Sequence, residues 1–152
     1  MFKIKLSNQI EEKGELFYNH GTNEFHSEPS EESDITFLVA YITIGFSSLN
    51  NQSTQIWGYH NSGMWEEKQL SMPQADWGKL VIEDSSIEGG DTIRLPQAEE
   101  WETYFDKKEN IVYFGNPNMR QAVQYVKIFS GTVVGIDKQG EIQELWLQPK
   151  IL

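Results

Sequence analysis

The sequence predicts a mainly β or α+β fold: a single domain, residues 1–152, with an antiparallel sheet or sandwich, a C-terminal β-hairpin and at most one or two short helices. Short runs rich in β-branched and aromatic residues recur along the chain, and clusters of Gly, Pro, Asn, Asp and Ser separate them. No internal repeat or heptad pattern is visible. The 152 residues include 5 Trp, 6 Tyr and 8 Phe, enough large side chains for one hydrophobic core.

The first third of the chain contains two short predicted strands, a polar connector and a long apolar run. Phe2–Leu6 and Glu15–Tyr18 are short apolar runs with turn-prone residues nearby, as in strands. Residues 26–34 combine Ser, Pro and acidic side chains, which predicts an exposed acidic loop. In Ile35–Phe46 both alternating sets of positions are largely apolar, so we expect one central strand buried on both faces.

The middle of the chain contains three more predicted strands and one ambiguous segment. The strands are Thr54–Tyr59, Leu80–Ile82 and Thr92–Leu95. Residues 97–108 fit a short helix, because a proline precedes them, acids come early and lysines come late. Aromatic residues in the same segment also alternate, which suits a hairpin with the apolar run 111–114, and we favour the hairpin.

The last part of the chain carries the clearest predicted element. Gly131–Ile136 and Glu141–Leu147 are strand-like, and the turn-prone residues Asp137–Gly140 join them, so we predict a β-hairpin. Before it, Asn116-Pro117 could begin a helix over residues 119–126, whereas Tyr125–Phe129 is richer in strand formers. The pattern leaves both possibilities open for that segment.

Charge is the most unusual property of the sequence. There are 23 acidic and 12 basic residues, a net charge of −11, and the acidic excess lies in residues 1–34 and 66–102, whereas residues 35–65 have no charged side chain. Nucleic-acid phosphates and anionic membranes would repel such a domain, so we expect neither as a direct partner. A basic protein would be attracted to it, and we therefore expect a protein partner.

The sequence points to a cytoplasmic protein without cofactors. It contains no Cys, which excludes disulfides, thiolate nucleophiles and Cys-ligated metal sites. Residues 1–6 alternate apolar and basic side chains without the apolar stretch of a signal peptide. The apolar run Ile35–Phe46 is shorter than the roughly 20 residues that span a bilayer.

Nothing in the sequence indicates catalysis, so we predict that the chain is not an enzyme. Adjacent carboxylates are common, but they lie in polar runs that would leave none singled out as a general acid. No phosphate-binding, nucleophile or calcium-loop motif is present. Glu24, His26 and Glu28 would share one face of a strand and could bind a metal ion, but Pro29 argues against a strand there, so we predict no metal site.

The aromatic residues allow a second function, a carbohydrate-binding β-sandwich module. Flat rings with nearby amides and acids suit the faces of sugars, although rings of this kind more often fill the core of a β domain. The rings that could form such a platform are Trp57, Tyr59, Trp65, Trp77, Trp101 and Trp146.

A pattern in the last third of the chain resembles small bacterial immunity proteins of polymorphic-toxin and contact-dependent growth inhibition systems. It comprises Trp101-x-x-Tyr104-Phe105-Asp106, Ile111–Gly115, Gly131–Asp137, Gly140 and the ending Leu145-Trp146-Leu147-x-Pro149. The resemblance implies a cytoplasmic protein that binds and neutralises a cognate toxin domain, often a basic nuclease. The binding face differs among such proteins, so the resemblance assigns no contact residue here.

Two acidic clusters are the candidate contact surfaces on grounds of charge. The first contains Glu28, Glu31, Glu32 and Asp34, and the second contains Glu83, Asp84, Glu88 and Asp91. An exposed aromatic side chain such as Trp77 could anchor the partner between charged groups. The oligomeric state and the identity of the partner are left open by the sequence.

Overall fold

A computed structural model describes residues 1–9, 14–118 and 122–152, and strands dominate these ranges. The first eight strands are β1 Phe2–Leu6, β2 Glu15–Asn19, β3 Glu24–Glu28, β4 Ile35–Val39, β5 Ile42–Ser47, β6 Gln52–Tyr59, β7 Glu66–Glu67 and β8 Asp76–Ile82. The others are β9 Thr92–Arg94, β10 Glu102–Asp106, β11 Ile111–Gly115, β12 Gln124–Phe129, β13 Thr132–Ile136, β14 Ile142–Leu147 and β15 Lys150–Ile151. Two short 3-10 helices, Ser62–Met64 and Pro96–Glu100, complete the described elements.

The strands form one curled mixed sheet, which confirms the predicted β-rich fold. Its main path runs β15-β2-β3-β6-β8-β12-β13-β14-β11-β10-β7, with β1 beside β8 and with β5, β4 and β9 branching from β6. β15 follows β14 closely in sequence but pairs with β2 at the far end of the path, so the sheet curls back on itself. Most neighbours are antiparallel, and the parallel pairs are β4 with β9, β7 with β10, β8 with β12, and β2 with β15.

The prediction of one continuous strand over Ile35–Phe46 is wrong. The segment is a tight hairpin of β4 and β5 that turns at Ala40-Tyr41, and Phe37 lies opposite Ile44. Ala40 has a φ of 56°, in the left-handed region that a non-glycine residue rarely adopts. Before the turn the odd-numbered residues face the core, and after the turn the even-numbered residues face it. The sequence of the two arms together therefore has the apolar pattern of a strand buried on both faces.

The predicted loop at 26–34 begins later than expected. Residues 26–28 belong to β3, which pairs with β2 and places His26 opposite Phe17. Phe25 and Ser27 point inward and are buried, so this polar stretch has the alternation of a half-buried strand. The exposed acidic loop is therefore residues 29–34.

The two ambiguous segments resolve as strands where the structure describes them. β10 and β11 form the hairpin favoured over a helix at 97–108, with Tyr104 opposite Tyr113, and the 3-10 helix Pro96–Glu100 precedes it. Of the segment 119–126, residues 119–121 lie outside the described ranges, and β12 begins at Gln124. The C-terminal hairpin of β13 and β14 is confirmed, and its turn is held by Asp137, whose Oδ1 accepts hydrogen bonds from two backbone N–H groups.

Three phenylalanine rings pack together at the end of the core where the acidic loops leave the sheet. Phe2, Phe37 and Phe46 are buried, and their ring centroids lie 4.9 to 5.6 Å apart. Aromatic pairs at such distances contribute about 0.5–1.5 kcal/mol each beyond the area that they bury. Because β5 ends just after Phe46, this cluster gives the loops beyond it a rigid base.

The Glu144 side chain lies inside the second half of the sheet. Glu144 of β14 is 1% exposed, and its Oε1 accepts hydrogen bonds from the Tyr125 hydroxyl at 2.9 Å and the Trp146 Nε1–H at 3.0 Å. Gly115 and Gly135 lie opposite Glu144 on the two neighbouring strands. A Cβ on Gly135 would approach Tyr125 to 2.8 Å, so this glycine leaves room for the tyrosine to reach the carboxylate.

Candidate functional site

The two acidic segments, about 50 residues apart in sequence, meet at one end of the molecule. β4 pairs in parallel with β9, which brings the chain before β4 next to the chain before β9. The backbone N–H of Gly90 donates to the carbonyl of Asp34 at 2.6 Å, and the N–H of Thr36 donates to the carbonyl of Asp91 at 3.0 Å. The fold therefore joins loop 29–34 to loop 83–91.

A third loop, the β5–β6 turn, lies against this junction. The Asp34 carboxylate accepts a hydrogen bond from the Ser48 N–H at 2.7 Å and a second from the Ser48 hydroxyl. The turn holds β8 as well, because the N–H of Ile82 donates to the carbonyl of Asn51 at 2.9 Å. At its tip Leu49 is 95% exposed, a large apolar side chain placed among acidic groups.

We call this surface the acidic rim. It consists of Glu31, Glu32, Asp34, Asp84, Glu88, Asp91 and the apolar Leu49. Glu83, at the start of loop 83–91, instead lines a pocket beside Phe2 and Lys3. An open cavity of about 570 Å³ lies within the rim, between loop 29–34 and the β5–β6 turn. Neither acidic loop, 29–34 or 83–91, contains a Lys or Arg in its sequence.

Hydrogen bonds keep the rim negatively charged. Those from the Ser48 side chain and backbone hold the pKa of Asp34 below its usual range. Those from Ser86 do the same for the pKa of Asp84. A cluster of carboxylates would otherwise raise the pKa of its members, because like charges disfavour ionisation. These two groups therefore stay ionised in the presence of their acidic neighbours.

Local contacts also order the rim. The buried side chain of Gln55 accepts a hydrogen bond from the Glu31 N–H and donates one to the Pro29 carbonyl. In the other loop, the Asp91 carboxylate accepts from the Glu88 N–H at 2.9 Å. The acidic groups are thus presented on loops whose backbones are fixed before any partner arrives.

Two other predicted contact residues lie outside the junction of the loops. Glu28 ends β3 directly before loop 29–34, and its carboxylate lies 3.5 Å from the His26 ring. Trp77 lies near the start of β8, six residues and roughly 20 Å from Glu83 at a strand rise of about 3.3 Å per residue. Trp77 is half-buried, and the Lys127 ammonium lies 4.5 Å from its ring centre.

Sequence reasoning missed Leu49, which we identify as the apolar centre of the rim. Its neighbours in the sequence are Ser and Asn, which are typical of turns and indicate no binding role. The available signal was its isolation, since a single leucine in a polar turn has no core to enter. The meeting of the two acidic loops had no local signal, because the β4–β9 pairing that causes it is non-local.

The histidines and the aromatic residues lie in separate surroundings. His60 is largely enclosed by Phe25, Trp65 and Phe114, and its Nε2 lies 2.7 Å from the Thr103 hydroxyl. Burial lowers the pKa of His60 to about 4. Within residues 1–9, 14–118 and 122–152, no group of three His, Asp or Glu side chains could hold a metal ion.

The rings considered for a sugar platform divide between the core and the surface. Trp146 is buried, Trp65 packs against Tyr18 and Phe105, and Trp101 packs against Phe114. Trp57 and Tyr59, two residues apart on β6, reach the surface.

Neither the comparisons with known proteins nor the described helices assign the chain to a family or to a membrane span. Comparison of the chain with protein-family models and with curated proteins returns no match. Neither 3-10 helix in the described part of the chain is long and apolar enough to cross a membrane.

Proposed function

We propose that this chain is an immunity-type inhibitor that binds a basic protein toxin domain through the acidic rim and neutralises it. The observation that carries the proposal is the meeting of the two acidic loops around exposed Leu49. A surface with this charge raises the association rate of a basic partner. The resemblance of the last third of the chain to immunity proteins supports the same class of function.

The arrangement of the rim suits a protein partner better than a small cation. Interfaces between proteins commonly combine a central apolar anchor with a ring of polar groups that exclude water. Leu49 is such an anchor, and Asp34 and its neighbours supply the polar ring. Burying one leucine side chain contributes about 1.5–3 kcal/mol, and the surrounding charges add speed and selectivity.

The proposed mechanism is occlusion of the toxin. A toxin that acts on nucleic acid needs a basic surface to attract phosphate, and the acidic rim would cover that surface in competition with the substrate. No chemistry by this chain is required. The rim would approach as a preformed surface, since Gln55 and Asp91 already hold its loops.

The test begins with affinity capture of the tagged protein from a lysate of its own organism at low and at high salt. A captured basic protein is then expressed in a host with and without this chain. We expect the basic protein to be toxic when it is expressed alone and harmless when it is expressed together with this chain. A captured protein that is not toxic, or whose toxicity persists, contradicts it.

Charge reversal then tests the role of the rim. We expect Glu32→Lys with Glu88→Lys to slow association with the captured protein by about tenfold and to reduce its salt dependence. The matched control, Glu99→Lys with Glu100→Lys, makes the same change of net charge on the 3-10 helix that follows β9, away from the rim. Equal association rates for the two double variants would remove the rim from the proposal.

The carbohydrate-binding alternative has its own support and its own test. Trp57 and Tyr59 reach the outer face of β6 on the same side of the strand. Under this alternative, the Trp fluorescence of the wild type should change with one member of a glycan panel, and the change should disappear in Trp57→Leu. An unchanged spectrum across the panel counts against it.

A further inference from the structure

A cavity of about 320 Å³ lies beside loop 29–34, on the outer face of the sheet. The residues that line it include His26, Trp57, Ser30 and Glu31. A volume near the lower limit of ligand pockets suits one long side chain better than a whole cofactor.

The walls of this cavity are fixed by contacts within the protein. The His26 ring stacks on Phe17, with centroids 5.2 Å apart and planes inclined by 20°. The Gln55 side chain at its base is 2% exposed, and both of its polar ends are engaged, by Pro29 and Glu31. The cavity is thus preformed, which reduces the entropy lost on binding.

The polar groups of the lining leave mainly an acceptor for a ligand. Ser27 donates its hydroxyl to the carbonyl of Ile56, and the Ser33 hydroxyl lies 2.6 Å from that of Thr54. Their hydrogen-bonding capacity is therefore partly used inside the protein. Glu31, an exposed residue, is the acidic residue among those that line the cavity, and Trp57 belongs to the same lining.

We propose that this cavity receives an arginine side chain from the basic partner, with the guanidinium group against Trp57 and hydrogen-bonded to Glu31. The inference rests on the proposed function and specifies how the partner is recognised. A guanidinium is planar, stacks on aromatic rings and forms paired hydrogen bonds with a carboxylate. Lysine offers a compact charge without the flat surface, so this lining selects arginine over lysine.

The inference deepens the role of loop 29–34. Glu32 and Asp34 belong to the acidic rim, and Glu31 also lines the cavity, so a single loop would attract the partner and hold one of its side chains. The rim would then govern the association rate, and the cavity would govern the dissociation rate.

The experiment uses three short peptides of the form acetyl-Gly-X-Gly-amide, in which X is arginine, lysine or citrulline. Citrulline has nearly the shape of arginine and no charge. Binding to the full-length protein is followed by NMR through the indole N–H signal of Trp57, which is assigned with Trp57→Phe. We expect millimolar binding of the arginine peptide, at least about threefold weaker binding of the lysine peptide and no shift with citrulline.

Two variants form the matched comparison. Glu31→Gln should weaken binding of the arginine peptide by about five- to tenfold, because Glu31 is the acidic residue of the lining. Glu99→Gln removes the same charge from the 3-10 helix Pro96–Glu100, away from the rim and outside the lining of this cavity, and should change the affinity less than twofold. Equal effects of the two variants, or equal shifts with the arginine and lysine peptides, would overturn the arginine site.

The outcomes separate this inference from the proposed function. Suppose that peptide binding is the same in the Trp57 and Glu31 variants as in the wild type, and that association of a captured toxin depends on the rim. This result would refute the arginine site and leave the proposed function intact. Arginine-selective binding at Trp57, together with a captured protein that is not neutralised, supports the cavity and refutes the immunity function. Where both hold, Trp57→Leu should raise the dissociation rate of the complex about tenfold and leave its association rate nearly unchanged.

Discussion

The side-chain oxygen of Gln55 accepts a hydrogen bond from the backbone N–H of Glu31 at 3.0 Å, which ties the acidic loop to the interior of the sheet. Its Nε2 also donates to the Pro29 carbonyl at 2.8 Å. We expect Gln55→Leu to lower the free energy of unfolding by about 1–3 kcal/mol, because two backbone groups lose their partner. Urea unfolding followed by tryptophan fluorescence measures this change.

The same variant tests whether the loop is held in position. Amide hydrogen exchange at Glu31 should accelerate in Gln55→Leu, whereas exchange in the distant β13–β14 hairpin should keep its rate. Gln139→Leu, in the exposed turn of that hairpin, is the control and should leave Glu31 unaffected. An unchanged exchange rate at Glu31 in Gln55→Leu would show that other contacts hold the loop.

Gly58 occupies a position that no other residue can fill without rearrangement. Its φ is 129°, and a Cβ there would lie 2.3 Å from the Tyr41 carbonyl oxygen. We expect Gly58→Ala to cost about 3 kcal/mol or more in thermal or urea unfolding, from backbone strain and steric overlap together. Gly90→Ala separates the two causes, since Gly90 has a φ of 97° but no atom within 4 Å of the added Cβ. Gly90→Ala should lower the free energy of unfolding by about 1 kcal/mol. An equally small loss in Gly58→Ala would contradict the steric argument.

Burial of His60 makes stability depend on pH below neutrality. The pKa of His60 falls from 6.5 to about 4 in the folded protein, because burial disfavours the charged ring. Between these values the unfolded chain binds the proton and the folded chain does not, so stability decreases as the pH falls from 6.5 toward 4. The loss attributable to His60 reaches about 2 kcal/mol at pH 5 as an upper value.

His60→Gln tests this dependence, since an amide can still bond to the Thr103 hydroxyl. Unfolding free energies of the variant and the wild type are compared at pH 7.5 and pH 5. We expect the wild type to lose more stability than the variant on acidification. Parallel losses in the two proteins would show that His60 is not the group responsible.

The buried Glu144 accepts hydrogen bonds from two donors and adds to the effect of burial in raising the pKa of one of them, Tyr125. Glu144→Ala leaves the Tyr125 hydroxyl and the Trp146 N–H without this acceptor, and we expect a loss of about 3 kcal/mol in the free energy of unfolding. Glu144→Gln keeps an acceptor and should cost less. Burial, and then the hydrogen bond to Glu144 and its charge, raise the pKa of Tyr125 to about 12.

Removing the carboxylate charge should therefore lower the pKa of Tyr125, while burial keeps it above 10. Absorbance titration at alkaline pH follows the tyrosinate, Tyr125→Phe identifies the signal, and circular dichroism confirms that the fold is retained. A Tyr125 pKa that is the same in Glu144→Gln and in the wild type would contradict the assigned coupling.

Local chemistry made part of the fold predictable. The β13–β14 hairpin was evident because Asp137 and Gly140 are typical turn residues and both arms are rich in strand formers. The β4–β5 turn gave no such signal, since Ala40 adopts a left-handed conformation without help from Gly or Asn. The start of the acidic loop was misplaced because β3 buries only alternate side chains in a polar stretch.

The candidate site was predictable only in its composition. The acidic character of both loops could be read directly, but their contact depends on the β4–β9 pairing, for which no short-range pattern exists. The β4–β5 pairing, together with the β5–β6 turn, places Leu49 near Asp34. The contact between Trp77 and the lysine above its ring joins distant parts of the chain and has no signal in the local sequence.

The pairing of β15 with β2 has a consequence for the time course of folding. Lys150 lies opposite Phe17, and their residue numbers differ by 133, so this contact closes a very long loop of chain. Contacts between distant parts of a chain slow folding, because the entropy of loop closure is lost before the contact contributes stability. We therefore expect slow refolding, on the millisecond-to-second scale of β proteins rich in non-local contacts, with the β2–β15 junction among the last parts to form.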